Sequence, residues 1–450
     1  MANFWNASDS SVPWEAVEPA LRQMEDTMRG ARERMLGARR TVFPQRGALP
    51  EEINTKLDHL KSADPAEEKG RLTVFSLKGN PDVQAMAASA FMKFLPYNAL
   101  FSPTLPSVSM MELDVMDMSV ALLGGGEDAA ANLTLGGSES IYCGLHAARE
   151  WARRVKPEIR DPEVIVPWSA HPAFIKGAHL LGLKLIATKL GDDHRADMSA
   201  IQSAITPNTI GLVGSAPCWP YGLYDDIPAL GRLAIERDLW LHVDACVGGF
   251  LAPFVTLTGR PVPKFDLSVP GVRSLSADLH KYGYAAKPLS MILWADRSYQ
   301  QFHYQISLGL SGMYGSHSLL GSRPAGAVAS AWAVMNMLGI DGYVKLAQRT
   351  MAVKDQLVLG LNALKIYDVW DNELSILVFG SNKIDVSKIN TLMKEKGWHT
   401  MGTAIPHLIQ LTLDSVDDNI VTSYLKDISE ATIAVLGGLE VDGTNLGYVS

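Results

Sequence analysis

Ser274-Leu-Ser-Ala-Asp-Leu-His-Lys-Tyr-Gly-Tyr-Ala-Ala-Lys-Pro288 is the stretch on which the reading of this chain turns. A His-Lys pair, His280 and Lys281, follows a predicted strand and sits in a loop containing glycine and tyrosine. A lysine there can form a Schiff base when its neighbours lower its pKa. Taken alone the pair carries little weight, because most lysines are solvated surface charges. Upstream, the apolar run Leu239-Trp-Leu-His-Val-Asp-Ala-Cys246 places Asp244 near its carboxyl end, just before Gly248 and Gly249. Ligands of open α/β sheets bind at that edge. A carboxylate there could be a metal ligand, a general base or the partner of a cationic ring nitrogen. A helix N-cap or a loop salt bridge is the plainer alternative.

Two further junctions have the same layout. Leu133-Thr-Leu-Gly-Gly-Ser-Glu-Ser140 leads into a helix, so Gly137 and Ser138 can offer backbone N–H groups and a hydroxyl to an anion. It matches neither a dinucleotide fingerprint nor a Walker A loop, and a simple capping turn would also explain it. Pro167-Trp-Ser-Ala-His-Pro-Ala-Phe174 puts His171 where it could stack on a flat ring, although a lone histidine is more often structural. Gly124-Gly-Gly126 reads as a helix stop. The four junctions together offer an anion cradle, a stacking ring, a carboxylate and an amine, the parts needed to hold pyridoxal 5'-phosphate.

The surrounding pattern alternates strands with helices. Strands are expected at Val164–Val166, Lys184–Thr188, Thr209–Gly214, Leu239–Val243 and Met291–Trp294, with helices near 138–154, 171–181, 197–204 and 226–237. This is the signature of βαβ units and a mostly parallel, doubly covered sheet. After Ala325 a helical stretch to about Leu364 precedes strands at Ile376–Phe379 and His407–Leu413 and helices near 386–396 and 417–436, as expected of a smaller α/β domain. The spacing of Val17, Leu21, Met24, Met28, Ala31 and Met35 predicts an amphipathic N-terminal helix. Residues 41–70 read as a linker. The expected organisation is therefore a helical segment with linker over 1–70, a cofactor-binding domain over 71–330 and a small domain over 331–450.

Composition excludes other classes. The 450 residues are 47% hydrophobic and 20% charged with net charge −8, so disorder and a basic nucleic-acid footprint are both ruled out. The three cysteines are too few for a disulfide framework or a zinc site and suit a reducing, cytoplasmic setting. No signal-peptide pattern opens the chain, and the longest nearly apolar run, Ala325 to Ile340, is shorter than the ~20 residues a membrane span needs.

The ordered set GGSES, SAHPAF, HVDACVGGF, SADLHKYGYAAK and GSRPAG resembles the group II pyridoxal-phosphate-dependent decarboxylase family, and within it most the sphingosine-1-phosphate lyases, over about residues 70–435. The resemblance implies the aspartate-aminotransferase-like fold type I, with a large seven-stranded sheet domain. It implies a homodimer with shared active sites and pyridoxal 5'-phosphate as cofactor. Carried over by position, Lys281 is the Schiff-base lysine, Asp244 pairs with the pyridinium nitrogen and His171 stacks on the ring. Gly137, Ser138 and His280 contact the phosphate, and Gly321 and Ser322 complete that cradle from the second subunit. His242 lies near the cofactor.

The implied reaction is carbon–carbon cleavage of a β-hydroxy amine or amino acid by a retro-aldol step. An amino-acid α-decarboxylase and a non-catalytic cofactor-binding regulatory protein are the alternatives. The chain departs from the lyase pattern at Leu72-Thr-Val-Phe75, at Asn98-Ala-Leu-Phe-Ser-Pro103, where Phe101 replaces a histidine, and at Pro220-Tyr-Gly222. Phe101 offers a phosphate neither a donor nor a charge, whereas Tyr221 could donate a hydrogen bond. Arg323 and His407 are candidate anion contacts.

Overall fold

The computed structural model describes residues 77–443 apart from 311 and 371, together with 43–62, 64, 71 and parts of the stretch 22–33. Two compact units divide at residue 72. In the first, the described residues between 22 and 33 are helical, and the rest of the predicted N-terminal helix lies outside the described residues. The expected linker contains a helix, α1 (Pro50–Lys61). Pro50 opens it, acidic Glu51 and Glu52 sit in its first turn, and Glu52 accepts a hydrogen bond from the Leu49 N–H at 3.2 Å. These signals suit a helix N-terminus. The helix buries no residue, although Ile53, Leu57 and Leu60 recur at helical spacing on its exposed surface.

The second unit begins with α2 (Pro81–Lys93) and α3 (Pro106–Leu122). Then follow β1 (Ala130–Thr134), α4 (Gly137–Val155), β2 (Glu163–Pro167), α5 (Ala173–Leu181), β3 (Lys184–Thr188), α6 (Met198–Ala204) and β4 (Thr209–Ser215). The chain continues through α7 (Ile227–Glu236), β5 (Trp240–Asp244), α8 (Ala252–Leu257), β6 (Val272–Ala277), β7 (Ser290–Trp294) and the short α9 (Arg297–Gln300). These strands form a seven-stranded sheet in the order β1-β7-β6-β5-β4-β2-β3. Only β7 runs against its neighbours, so the carboxyl ends of β1, β2, β4, β5 and β6 share one edge. Strands β2, β4, β5 and β7 are buried along their whole length, as expected when helices cover both faces.

A hairpin, β8 (Gln305–Gly309) with β9 (Gly312–Ser316), stands out from the body with Ile306, Leu308, Met313 and Tyr314 exposed. The 39-residue α10 (Ala325–Ala363) then turns at Gly339, whose φ of 55° and ψ of −173° interrupt the helical path. Its first part lies in the core shared with the large sheet. Its second part packs Val353, Leu357 and Leu361 into a separate core with Leu377, Phe379, Trp398 and Tyr424. The boundary expected at 330 thus falls inside one continuous element. The second core covers a four-stranded antiparallel sheet ordered β10-β11-β13-β12, from β10 (Asp368–Val369), β11 (Ile376–Gly380), β12 (Met401–Ala404) and β13 (His407–Thr412). Helices α11 (Val386–Glu395) and α12 (Asp418–Leu436) pack with that sheet. Among the described residues, no helix is long and apolar enough to cross a membrane.

Candidate active site

Four strand ends build one cavity of about 530 Å³ at the carboxyl edge of the large sheet. β1 delivers Leu135, Gly136, Gly137 and Ser138; β2 delivers His171; β5 delivers Asp244 and Cys246; β6 delivers Asp278, His280 and Lys281. Lys176 and Leu180 of α5, Glu139 and Tyr142 of α4, Trp219, Leu319 and Leu320 are also among the lining residues.

The N-terminus of the 19-residue α4 points its first backbone amides at this edge. Gly136 has φ 155° and ψ 164°, a conformation left to glycine. At Gly137 a Cβ would fall 2.8 Å from Cys246 Sγ and 3.0 Å from Asp278 Oδ1, so only glycine leaves that space open. The amides of Gly137 and Ser138 precede the first intrahelical bonds and are free of i−4 partners within the helix. Glu139, which sequence reasoning passed over, braces the turn. Its Oε2 accepts from the Leu135 N–H at 2.7 Å, and its Oε1 accepts from the Leu319 N–H at 2.8 Å. A glutamate three residues past a helix cap is the signal that could have revealed it.

Lys281 Nζ lies 3.0 Å from Asp278 Oδ2, and His280 Nε2 lies 3.7 Å from the same oxygen. Burial pulls the Lys281 amine down, but the nearby anionic charge, Asp278 foremost, outweighs it and leaves the amine above its ordinary value. Burial alone would raise the Asp278 carboxyl. Lys281, His280 and the Ser290 hydroxyl reverse that and hold it below the usual carboxylate range.

Both cavity histidines have defined tautomers. His171 Nδ1 accepts from the Ala173 N–H at 3.1 Å, and His280 Nδ1 accepts from the Leu289 N–H at 3.1 Å. Each therefore carries its proton on Nε2 when neutral. Burial lowers the pKa of both rings, so the neutral form is favoured. Asp244 is buried at the end of β5, where one carboxylate oxygen accepts from the Cys246 N–H at 3.1 Å.

Lys281, His171, Asp244, Gly137, Ser138 and His280 thus meet in one cavity. The other predicted contacts lie elsewhere. His242 does not line it: the ring is buried deeper, with Nδ1 2.9 Å from Ser274 Oγ and Nε2 3.1 Å from Ser276 Oγ. Gly321 and Ser322, which the resemblance assigns to the second subunit's cavity, do not line this one, and Ser322 Oγ accepts from Asn98 Nδ2 at 3.0 Å. Phe101 is half-exposed and away from the cavity. Tyr221 is outside the lining too, its hydroxyl already donated to the Ile405 carbonyl at 2.6 Å. Arg323 is no free anion contact, because its guanidinium is buried against Glu112 at 2.7 Å and the Ala99 carbonyl at 3.0 Å. His407 opens β13 and does not line the cavity. Residues 72–75 lie outside the described residues.

The residues present fit pyridoxal phosphate. The open space at Gly137 and the α4 amides suit a phosphate dianion. Lys281 offers an amine, Asp244 a carboxylate for a ring nitrogen and His171 a flat face. Among the described residues, no cluster of histidine, cysteine or carboxylate side chains could hold a metal ion.

Residues 74–379 match the model of the pyridoxal-dependent decarboxylase conserved domain. The chain is 33% identical over 413 residues to sphingosine-1-phosphate lyase 1 of Mus musculus, covering 91% of this chain and 72% of that one. It is also 33% identical over 360 residues to L-aspartate decarboxylase of Thermococcus kodakarensis, covering 79% of this chain and 91% of that one. Among solved structures, the sphingosine-1-phosphate lyase of Burkholderia pseudomallei superposes with a TM-score of 0.85 at 33% identity, over 89% of this chain and 94% of that one. With the lysine loop, the carboxylate and the helix N-terminus on one sheet edge, these likenesses show that the chain belongs to the pyridoxal-dependent decarboxylase family and is a pyridoxal-phosphate-dependent lyase of fold type I.

Proposed function

We propose that the enzyme cleaves the Cα–Cβ bond of a β-hydroxy amine or amino acid by a retro-aldol step, releasing an aldehyde and a smaller amine. The observation that carries this reading is the likeness to sphingosine-1-phosphate lyases across nine-tenths of the chain, in sequence and in structure. An α-decarboxylase is the second reading, favoured by the equal identity to an L-aspartate decarboxylase over a shorter span.

When bound, pyridoxal phosphate supplies an electron sink for the pair left by the broken bond. In this reading the α4 amides, Ser138 and His280 hold its phosphate, Asp244 faces its ring nitrogen and His171 its ring. Retro-aldol cleavage needs a base for the β-hydroxyl proton. Neutral His171 and His280 accept hydrogen bonds from backbone N–H groups at Nδ1 and so present donors at Nε2. Lys281 Nζ would be the cavity amine to take that proton, which requires that it first lose the proton that its pairing with Asp278 favours. Lys176 puts a cation at the exposed rim, where an anionic group on the substrate would meet it even though Phe101 cannot.

A homodimer completes the reading. The exposed apolar hairpin β8–β9 and the exposed Gly321 and Ser322 suit a contact with a second copy whose cavity they would reach. The three buried free thiols suit the cytoplasm.

Product analysis tests the reaction. The cofactor-loaded protein is incubated separately with sphingosine-1-phosphate, β-hydroxy amino acids and L-aspartate, and mass spectrometry follows aldehydes and amines. An aldehyde with its matching amine is expected. An amine lighter than its amino acid by carbon dioxide, without aldehyde, would overturn the cleavage reading in favour of decarboxylation. Light scattering on the eluting protein tests the dimer, and a monomeric mass would exclude it.

A further inference from the structure

Behind the lysine, four buried side chains form a line. Thr134 Oγ1 lies 2.7 Å from Ser140 Oγ, Ser140 Oγ 2.7 Å from Ser290 Oγ, and Ser290 Oγ 2.5 Å from Asp278 Oδ1. All four are almost completely buried. They come from β1, α4, β7 and the loop after β6, so the line crosses the large sheet's edge beneath the cavity.

The chemistry fixes its direction. An ionised carboxylate only accepts, so Ser290 donates to Asp278, the shorter of its two acceptor contacts, the Ala277 carbonyl lying at 3.1 Å. Ser140 must then donate to Ser290, and Thr134 to Ser140. Such a chain polarises each bond toward the carboxylate. The other oxygen of Asp278 faces Lys281 Nζ at 3.0 Å.

We infer that Asp278 is a positioning residue for the cofactor lysine: its carboxylate holds Lys281 Nζ in the cavity as an ammonium, and the Thr134–Ser140–Ser290 chain keeps that carboxylate ionised and aimed. The groups facing Lys281 are Asp278 and His280 on its own segment, Asp244 and Cys246 from the loop after β5, and His171 from the loop after β2. Lys287 acts on His280 from the same segment. Asp278 Oδ2 forms the ion pair with Nζ at 3.0 Å. The inference rests on the family's cofactor and not on the choice between cleavage and decarboxylation.

A held ammonium has a measurable consequence. Lys281 must give one proton to solvent before its lone pair can attack the aldehyde carbon; the C=N bond formed replaces the C=O bond, whose oxygen leaves as water. The pair therefore slows capture of the cofactor at neutral pH, and directs the nitrogen to one place each time it is released. Asp278→Asn keeps the shape and removes the charge. Burial then depresses the amine unopposed by its nearest anion, and the free-amine fraction rises.

The test uses the full-length protein stripped of cofactor. Capture of added pyridoxal 5'-phosphate is followed by visible absorbance across pH, and borohydride fixation with peptide mass identifies Lys281 as the site. Asp278→Asn should move the profile toward acid by about one pH unit or more, which makes capture at neutral pH about tenfold faster. Ser290→Ala should act in the same direction by a smaller factor, because the charge-separated pair loses a donor that favours it over the neutral pair. The double variant should match Asp278→Asn alone, since the hydroxyl acts only through the carboxylate. A folded Asp278→Asn protein with an unchanged or alkaline-shifted profile would overturn the inference, as would full additivity in the double variant. If Asp278→Asn does not fold, Ser290→Ala decides: faster capture at neutral pH supports the inference, and an unchanged rate refutes it.

Discussion

His242 should make this protein acid-labile, by an amount that the structure allows to be worked out. β5 presents Trp240, His242 and Asp244 on one side, as alternation along a strand requires. Asp244 reaches the cavity, while His242 lies further back beneath α4 and α5. Its ring packs edge-on to Phe174 at 5.8 Å, and a Cβ on Gly144 would fall 2.5 Å from its Nδ1. Burial holds the imidazole down from its ordinary 6.5 to about 4, against the opposing pull of Asp244. Above about pH 7.5 the ring is neutral in both folded and unfolded chains, and its contribution to stability is complete. Between about 6.5 and 4 the unfolded chain binds a proton that the folded ring refuses, so stability falls with pH across that window. A gap of about 2.5 pH units, at about 1.4 kcal/mol each, comes to about 3–4 kcal/mol. Other groups titrate in the same range: burial holds His303 to about 4 and raises Asp225 to about 6. The measurement is therefore a difference. Urea unfolding of the parent and of His242→Gln, from pH 7.5 to 4.5, should show the parent's advantage shrinking by most of that amount. A difference that stays constant across the range would refute the buried neutral ring.

Three further outcomes follow from the cavity and its support. Lys281→Ala should keep the fold and lose the visible absorbance of lysine-bound cofactor; a surviving band would put the attachment elsewhere. Gly137→Ala drives a methyl against Cys246 and Asp278, and overpacking of about 1–3 kcal/mol should weaken cofactor affinity about tenfold, read by equilibrium titration. An affinity equal to the parent's would mean that the cradle is not there. Arg323→Met leaves the Glu112 carboxylate buried without its partner and should cost about 3–5 kcal/mol in unfolding free energy; a loss under about 1 kcal/mol would show that Glu112 finds water or another donor.

Most of the large sheet was legible because its strands are short, apolar and bounded by helical periodicity. Lys184–Thr188 was predicted to the residue, and β2, β4, β5 and β7 to within a residue at either end. β1, Ala130-Ala-Asn-Leu-Thr134, carries only one large apolar side chain and left no such trace. The hairpin β8–β9 is built from exposed residues and glycines, so neither face of it shows a burial pattern. At the site, the loops were legible from their reactive residue types. Asp278 was not, although it stands in the decisive stretch, because its meaning depends on Ser290 and Ser140, twelve and 138 residues away in sequence. His242 shows the converse. It shares a strand face with Asp244, and only the depth of the strand beneath α4 separates a core histidine from a cavity carboxylate.

The distribution of charge around the cavity explains why Asp244 is the residue to set against a ring nitrogen. Three carboxylates line it: Glu139, Asp244 and Asp278. Glu139 spends both oxygens on backbone N–H groups, which tie the α4 turn to the 319–320 wall. Asp278 spends one oxygen on Ser290 and the other on Lys281. Asp244 accepts from the Cys246 N–H at one oxygen, which fixes the carboxylate at the strand end with its second oxygen outside that bond. A cationic ring nitrogen would meet there a buried anion already oriented by the backbone. The phosphate, at the other end of such a molecule, would meet the α4 amides. The three acidic groups are thus divided among bracing the wall, holding the amine and receiving the ring. Asp244→Asn should therefore keep the cofactor bound while lowering turnover at least a hundredfold, on the about 3 kcal/mol that a charge-assisted bond contributes. Turnover within about threefold of the parent would remove Asp244 from that role.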